Sequence, residues 1–319
     1  MGLSLGEILI MTNNLAIVFP GQGSQFVGML SDISHQFSEV KQTFDEASAV
    51  LGYDLWKLSE QGPESELDKT IHTQPALLCA GYSIWRILQS RNPLSPAMFA
   101  GHSLGEYTAL LCADAITFTD AVKLVAARGQ FMQEAVSQGT GAMAALIGLD
   151  ENTVNTICEE AKQDNEILSP ANFNSIGQIV IAGHKASVER AIVVAKEKGA
   201  KIAMLIPVSV PSHCELMRPA AERLEKLLAD IPFQLPKIPV INNVDVKPYE
   251  TVDAIRSGLV RQLYCPVQWV LTIQYFIQSG VTEIIECGPG KILTGLNKRI
   301  DKNLQLITTT DLASLKRSA

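Results

Sequence analysis

The chain has 319 residues, enough for one large domain or two unequal ones with a core that needs no disulfide or metal to hold it. Hydrophobic residues make up 47% and charged residues 18%, and no apolar run approaches the roughly 18 residues of a membrane span, so the composition is that of a soluble globular protein. A net charge of −7 argues against nucleic-acid binding, because phosphate contacts need clustered Lys and Arg; an anionic partner would need a local basic patch.

The amino terminus carries no Lys or Arg before Lys41, so it lacks the basic region of a secretory signal. Met11-Thr12-Asn13-Asn14 directly precedes the first convincing strand, and residues 1–10 read as a dispensable extension. Leu15 to Phe19 is a short apolar run stopped by Pro20-Gly21-Gln22-Gly23, a buried strand entering a tight loop. From Gln74 to Arg91 apolar residues recur at helical spacing, and Asn92-Pro93 ends the segment. A second apolar run, Ala97 to Ala100, is broken by Gly101-His102-Ser103-Leu104-Gly105 and followed by a helix over Tyr107 to Ala113. Thr119 to Val136 has helical period and places Arg128 inside a helix.

Residues 141–207 have their own rhythm. Strands are expected at Ala142–Leu149, Ile167–Asn172, Gln178–Ala182 and Ile202–Ile206, with helices at Glu151–Lys162 and Ala186–Lys198. That β-α-β-β-α-β order is the ferredoxin-like split βαβ unit. It interrupts a larger α/β domain, residues 11–140 and 208–319, whose strands resume at Ile238–Ile241 and Glu283–Glu286. The expected fold is therefore α/β, a mostly parallel, α/β-hydrolase-like sheet flanked by helices with a small inserted subdomain, and active residues belong in the crevice between them.

Gly101-His102-Ser103-Leu104-Gly105 matches the G-x-S-x-G nucleophile elbow, where a cramped strand-to-helix turn exposes the serine and the next amide, on Leu104, faces a developing oxyanion. A serine hydroxyl needs a base. Of five histidines, His35 and His72 lie in polar stretches, His184 sits at a strand end of the small unit, and His102 buttresses the turn; His213, in a proline-stiffened loop, remains. The Gly-rich turn at Gln22 lacks the third glycine of a dinucleotide loop, having Phe26 there, and suits a second oxyanion amide. No P-loop or H-E-x-x-H occurs. The six cysteines form no C-x-x-C pair, which points to reduced thiols in the cytoplasm, with neither a zinc site nor a secreted disulfide framework.

Phe19-Pro20-Gly21-Gln22-Gly23-Ser24-Gln25, Gly101-His102-Ser103-Leu104-Gly105-Glu106-Tyr107, Arg128, Val210-Pro211-Ser212-His213, Asn242-Asn243-Val244 and Cys287-Gly288-Pro289-Gly290 occur in one order. In that order and spacing the chain resembles the bacterial malonyl-CoA:acyl carrier protein transacylases from about Leu15 to Leu312. The resemblance implies Ser103 as the acylated nucleophile, His213 as general base, and the Gln22 and Leu104 amides as oxyanion hole. It also implies Arg128 as the partner of the malonyl carboxylate and the Gln262 carbonyl as the group orienting His213. No bound cofactor is implied; malonyl-CoA is the substrate, and the phosphopantetheine thiol arrives on acyl carrier protein, supplying fatty acid synthesis by ping-pong transfer. Carrier proteins of this kind are acidic, which makes Lys298, Arg299 and Lys185 docking candidates. No nucleic-acid or membrane partner is implied, and Cys265 is a departure outside the catalytic set.

Two other readings share parts of this pattern. A serine esterase or thioesterase of the α/β-hydrolase class has the same elbow, but its histidine follows an acid near the carboxyl end, and no histidine follows His213 here. A non-catalytic carrier-protein docking module would not need Ser103, His213 and Arg128 together.

Overall fold

The first apolar run becomes the centre of a parallel sheet. The computed structural model describes residues 14–91, 93–208, 210–311, 313 and 315; the expectation for residues 1–10 lies outside them. Among these residues the strands are β1 (Leu15–Phe19), β2 (Met98–Gly101), β3 (Gly141–Ile147), β4 (Leu168–Ser175), β5 (Gln178–His184), β6 (Ile202–Leu205), β7 (Val240–Ile241), β8 (Glu283–Glu286) and β9 (Gln305–Thr308). They form a five-stranded sheet in the order β7-β2-β1-β8-β9, paired in parallel throughout, and a four-stranded antiparallel sheet in the order β4-β5-β3-β6. The α/β class with an inserted ferredoxin-like unit is the observed fold.

Both faces of the parallel sheet are covered, which is why its strands read as continuous apolar runs. Ile17, Phe19 and Phe99 point into one core with the helix Thr70–Arg91; Ala16, Val18 and Ala100 point into the other with the helix Trp269–Gln278. Phe99 stands edge-on to Phe19 at 5.5 Å and to Trp85 at 5.2 Å between ring centroids. Each such fully buried ring contributes on the order of 1.5–3 kcal/mol relative to exposure. The small sheet has its own core, including Leu146, Ile157, Ile181 and Val188. It is stitched to the large part where β4 meets the segment before Trp269, through Phe173 N–H to Val267 O at 3.0 Å and Val267 N–H to Ala171 O at 2.9 Å.

Several element ends differ from the sequence reading. The helix expected from Gln74 begins at Thr70 and carries Pro75 inside it, giving up the backbone hydrogen bond that residue would make to Ile71, while Thr73 anchors its hydroxyl on Leu67 O at 2.6 Å. The helix expected from Tyr107 begins at Leu104, immediately after the elbow serine. β7 spans two residues rather than four, because Pro239 has no N–H to give the ladder, although its carbonyl accepts from Phe99 N–H at 2.8 Å. β4 runs on to Ser175 and takes Pro170 in at a register shift. β9, an edge strand of half-buried residues without clear alternation, was not expected at all.

In a parallel sheet the loops leaving the carboxyl ends of the strands gather at one edge. Those after β1, β2, β7 and β8 carry the Gly-rich turn, the elbow, Asn242-Asn243 and Cys287-Gly288 respectively, so four segments far apart in sequence converge there.

Candidate active site

The elbow is built from backbone. A Cβ on Gly105 would lie 2.0 Å from Phe19 O, and one on Gly101 would lie 1.9 Å from the carbonyl carbon of Gly105, so neither position admits a side chain. This close approach forces Ser103 into φ 53°, ψ −107°, a backbone region L-residues rarely adopt. Asn243, from the end of β7, holds the turn from both sides: its Oδ1 accepts from Ser103 N–H at 2.7 Å and its Nδ2 donates to Gly101 O at 2.7 Å. His102 turns its ring away to Asn174 Oδ1, 2.8 Å from Nε2, and packs against Trp269.

His213 approaches Ser103 from the loop after β6. Its backbone also has a positive φ, 64°, and its N–H donates to Leu263 O at 2.9 Å. The ring spans two partners, Nδ1 at 2.7 Å from Gln262 O and Nε2 at 2.8 Å from Ser103 Oγ. A carbonyl can only accept, so Nδ1 carries the proton and Nε2 faces the hydroxyl as a lone pair. Burial, reinforced by the Arg128 charge, pushes the imidazole down to about 3. At neutral pH it is therefore an uncharged acceptor.

Arg128, on the helix Phe118–Glu134, is 1% exposed. Its Nη2 donates to Ser103 Oγ at 3.2 Å and to Gln262 Oε1 at 3.0 Å, its guanidinium lies 5.1 Å from the centre of the Tyr107 ring, and its Nε is buried without a hydrogen-bond partner. Among the described residues no carboxylate forms an ion pair with it. Burial lowers its proton affinity from the usual value, with Tyr107 and Glu106 opposing that shift. A buried cation with spare donors, beside a serine, is a ready receptor for an acyl group that carries its own carboxylate.

Leu104 opens the helix after the serine, so its N–H has no acceptor within the helix. Gln22 lies in the turn after β1, its side chain on Thr70 Oγ1 at 3.2 Å. Ser103, His213, Arg128, Gln22 and Leu104 all line one cavity of about 170 Å³, together with Asn172, Asn174 and the apolar Met132, Met143 and Val210. Gln262 stands behind it, buried, with its carbonyl on the histidine.

A surface groove of about 650 Å³ shares Ile206 and Val208 with this cavity and is bordered by Lys69 and Lys185. Lys185 is exposed and 3.9 Å from Glu189. Lys298 and Arg299 are exposed on the helix Ile292–Ile300 and line neither cavity nor groove; Arg299 Nη1 donates to Gln178 Oε1, tying that helix to β5. Of the three basic candidates, only Lys185 borders the groove.

Two functional residues escaped the sequence reading. Asn243 was visible only as part of a motif, and its grip on the elbow depends on the β2–β7 pairing. Glu106 is the other: it is 1% exposed, in a helix whose nine residues are all buried. A lone acid in the run Leu104-Gly105-Glu106-Tyr107-Thr108-Ala109-Leu110-Leu111-Cys112 was the available signal.

Residues 16–310 match the family model of the acyl transferase domain. The chain is 59% identical over 285 residues to the malonyl CoA-acyl carrier protein transacylase of Escherichia coli O157:H7, covering 89% of this chain and 92% of that protein. It is 42% identical over 299 residues to the one of Bacillus subtilis, covering 94% of each. Its fold superposes on the crystal structure of an acyl carrier protein S-malonyltransferase from Vibrio cholerae with TM-score 0.93 and 55% identity, covering 96% of this chain and all of that one. It also superposes, with TM-score 0.94 and 54% identity over 96% of this chain and 98% of the other, on a malonyl-transacylase solved with its type II PKS acyl-carrier protein. With family model, sequence relatives and fold in agreement along nearly its whole length, the chain belongs to the malonyl-CoA:acyl carrier protein transacylase family of acyltransferases.

Proposed function

We propose that the chain carries a malonyl group from malonyl-CoA to the phosphopantetheine thiol of acyl carrier protein through a malonyl ester on Ser103. The observation that carries this reading is the buried Arg128 guanidinium, 3.2 Å from Ser103 Oγ and without an ion-pair partner among the described residues. His213 Nε2 takes the Ser103 proton as Oγ attacks the thioester carbonyl. The Gln22 and Leu104 amides receive the oxyanion. CoA leaves as its thiol with the proton that the histidine held, and the carrier thiol then reverses each step. Gln262 O keeps the imidazole in the productive tautomer, the part an acid plays in many hydrolases. No step draws on a bound cofactor. The groove past Ile206 and Val208 gives the long pantetheine arm its way in. We assign residues 141–207 to a small subdomain that roofs this entry, with 11–140 and 208–319 as the catalytic part, and place the enzyme in the cytoplasm on the six free cysteines among the described residues.

Intact-protein mass spectrometry after mixing with malonyl-, methylmalonyl- and acetyl-CoA tests the intermediate, since each acyl group leaves its own mass. A malonyl adduct mapped to Ser103 and missing from Ser103→Ala is the expected result; an adduct that persists in the variant places the nucleophile elsewhere. A second measurement concerns docking. Charge reversal at Lys185 should raise KM for the carrier protein and leave loading from CoA almost unchanged, with reversal at Lys298 and Arg299 the weaker of the two because they lie off the groove. Equal effects on both half-reactions would remove the docking role.

A further inference from the structure

Gln262 is the hub of the site, and a carboxylate stands behind it. Glu106 Oε2 accepts from Gln262 Nε2 at 2.8 Å and from Asn243 N–H at 3.1 Å, and its Oε1 accepts from the Tyr249 hydroxyl. Gln262 Nε2 donates a second time, to Ser103 O at 2.9 Å, so both amide hydrogens are engaged and Oε1 is left facing Arg128 Nη2. The orientation of this amide is thereby fixed by its acceptors: a flipped amide would put its oxygen against a carboxylate and its N–H₂ against a guanidinium. The same residue's backbone carbonyl holds His213. Glu106 thus reaches both halves of the catalytic apparatus through one residue, Arg128 by its side chain and His213 by its backbone.

We propose that Glu106 is a positioning residue that also tunes acyl-group choice: through the Gln262 amide it balances the Arg128 charge while the site is empty, and it opposes the acyl carboxylate that later takes its place. This rests on Ser103, His213 and Arg128 acting as assigned above. The charge argument follows from burial. An uncompensated guanidinium at this depth would be costly, and Glu106 is the carboxylate whose charge acts on it. Once a malonyl group enters, one cation faces two carboxylates, and the two compete.

The competition is titratable. Burial raises the Glu106 carboxyl to about 7, against the hydrogen bonds from Tyr249, Gln262 and Asn243 and the Arg128 charge, which all act the other way. The other titratable or charged groups around it keep one state through this range: Tyr107 is pushed up to about 12, Tyr249 is raised well above its ordinary value, and Arg128 remains a cation. His213, at about 3, is neutral throughout. Deprotonation of Glu106 as pH rises through neutrality should therefore weaken malonyl recognition and leave acetyl recognition, which uses no carboxylate, unaffected.

The test is the ratio of kcat/KM for malonyl-CoA to that for acetyl-CoA, measured between about pH 5.5 and 8.5. In the wild type it should fall by about fivefold or more with a midpoint near neutrality, a modest value for coupling between two sites. Glu106→Gln keeps an oxygen for Gln262 and Asn243 but has no charge to lose; its ratio should be flat and as high as the wild type's acid limit. Tyr249→Phe removes one donor that stabilises the carboxylate, so its midpoint should move to higher pH, and this variant carries the test if the first does not fold. A flat ratio in the wild type, the same transition in Glu106→Gln, or an unmoved midpoint in Tyr249→Phe overturns the proposal, because a merely structural role would depress both substrates alike. Adduct mass at Ser103 in the wild type reports the underlying assignment separately: its absence overturns both readings, whereas an adduct with an unchanged ratio overturns only this one.

Discussion

Replacing Arg128 with alanine is expected to lower kcat/KM for malonyl-CoA by about 10⁴ and to bring it close to that for acetyl-CoA, the scale on which a site built around one substrate polar group discriminates. The two thioesters differ by a single carboxylate. In the wild type that group can take two parallel charge-assisted hydrogen bonds from a guanidinium already buried and short of partners, whereas acetyl leaves the cation as it was. Lysine at this position should rescue only part of the loss, since it keeps the charge without the fork. Steady-state loading of both substrates by wild type and Arg128→Ala decides the point. An unchanged malonyl-to-acetyl ratio would mean that Arg128 does not read the carboxylate.

The second large effect belongs to the base. His213→Ala should slow acylation of Ser103 in single-turnover measurements by about 10² to 10⁴, the usual contribution of a positioned general base. Hydrogen bonding alone does not make the pair reactive; the ring must also be neutral, and here burial and the neighbouring cation keep it so well below physiological pH. The loss should therefore be of similar size at pH 6 and at pH 8 (about two units apart, enough to bracket an ordinary histidine). A wild-type acylation rate for acetyl-CoA that follows a histidine-like titration between those values, and loses it in His213→Ala, would show the imidazole to be far more solvated than its surroundings indicate.

How much of this was legible in the sequence depends on how local each feature is. The elbow is local: a strand, two glycines around a serine and a helix are all fixed within a dozen residues, and the structure reproduces them apart from one early turn of helix. The ferredoxin-like unit is legible for the same reason, as its alternation of strand and helix is complete within residues 141–207. Arg128 is different. Periodicity puts it on a helix, but only tertiary packing brings it beneath Ser103, and its part in the sequence reading came from family resemblance. Glu106 left a signal as a lone acid in an apolar run, but its meeting with Tyr249 and the Gln262 side chain was out of reach, because it depends on β7 pairing with β2 and on the helix Val252–Gln262 folding back over the elbow. Surface charge was the least legible. Lys185, Lys298 and Arg299 are equivalent in sequence and separate only when the groove is seen.

Ser103 and His213 share the backbone oddity noted at the elbow, positive φ on residues that carry side chains. Each such residue costs of order 1 kcal/mol or more, a cost that glycine escapes. At Ser103, where glycine would remove only a half-buried hydroxymethyl group, the polypeptide would therefore hold together better with glycine just where it can least do without a side chain; at His213 the buried ring and its hydrogen bond to Gln262 O offset that gain. A library sorted for heat resistance alone would enrich for inert proteins, and a thermally improved version of this enzyme has to be sought with turnover in the selection from the first round.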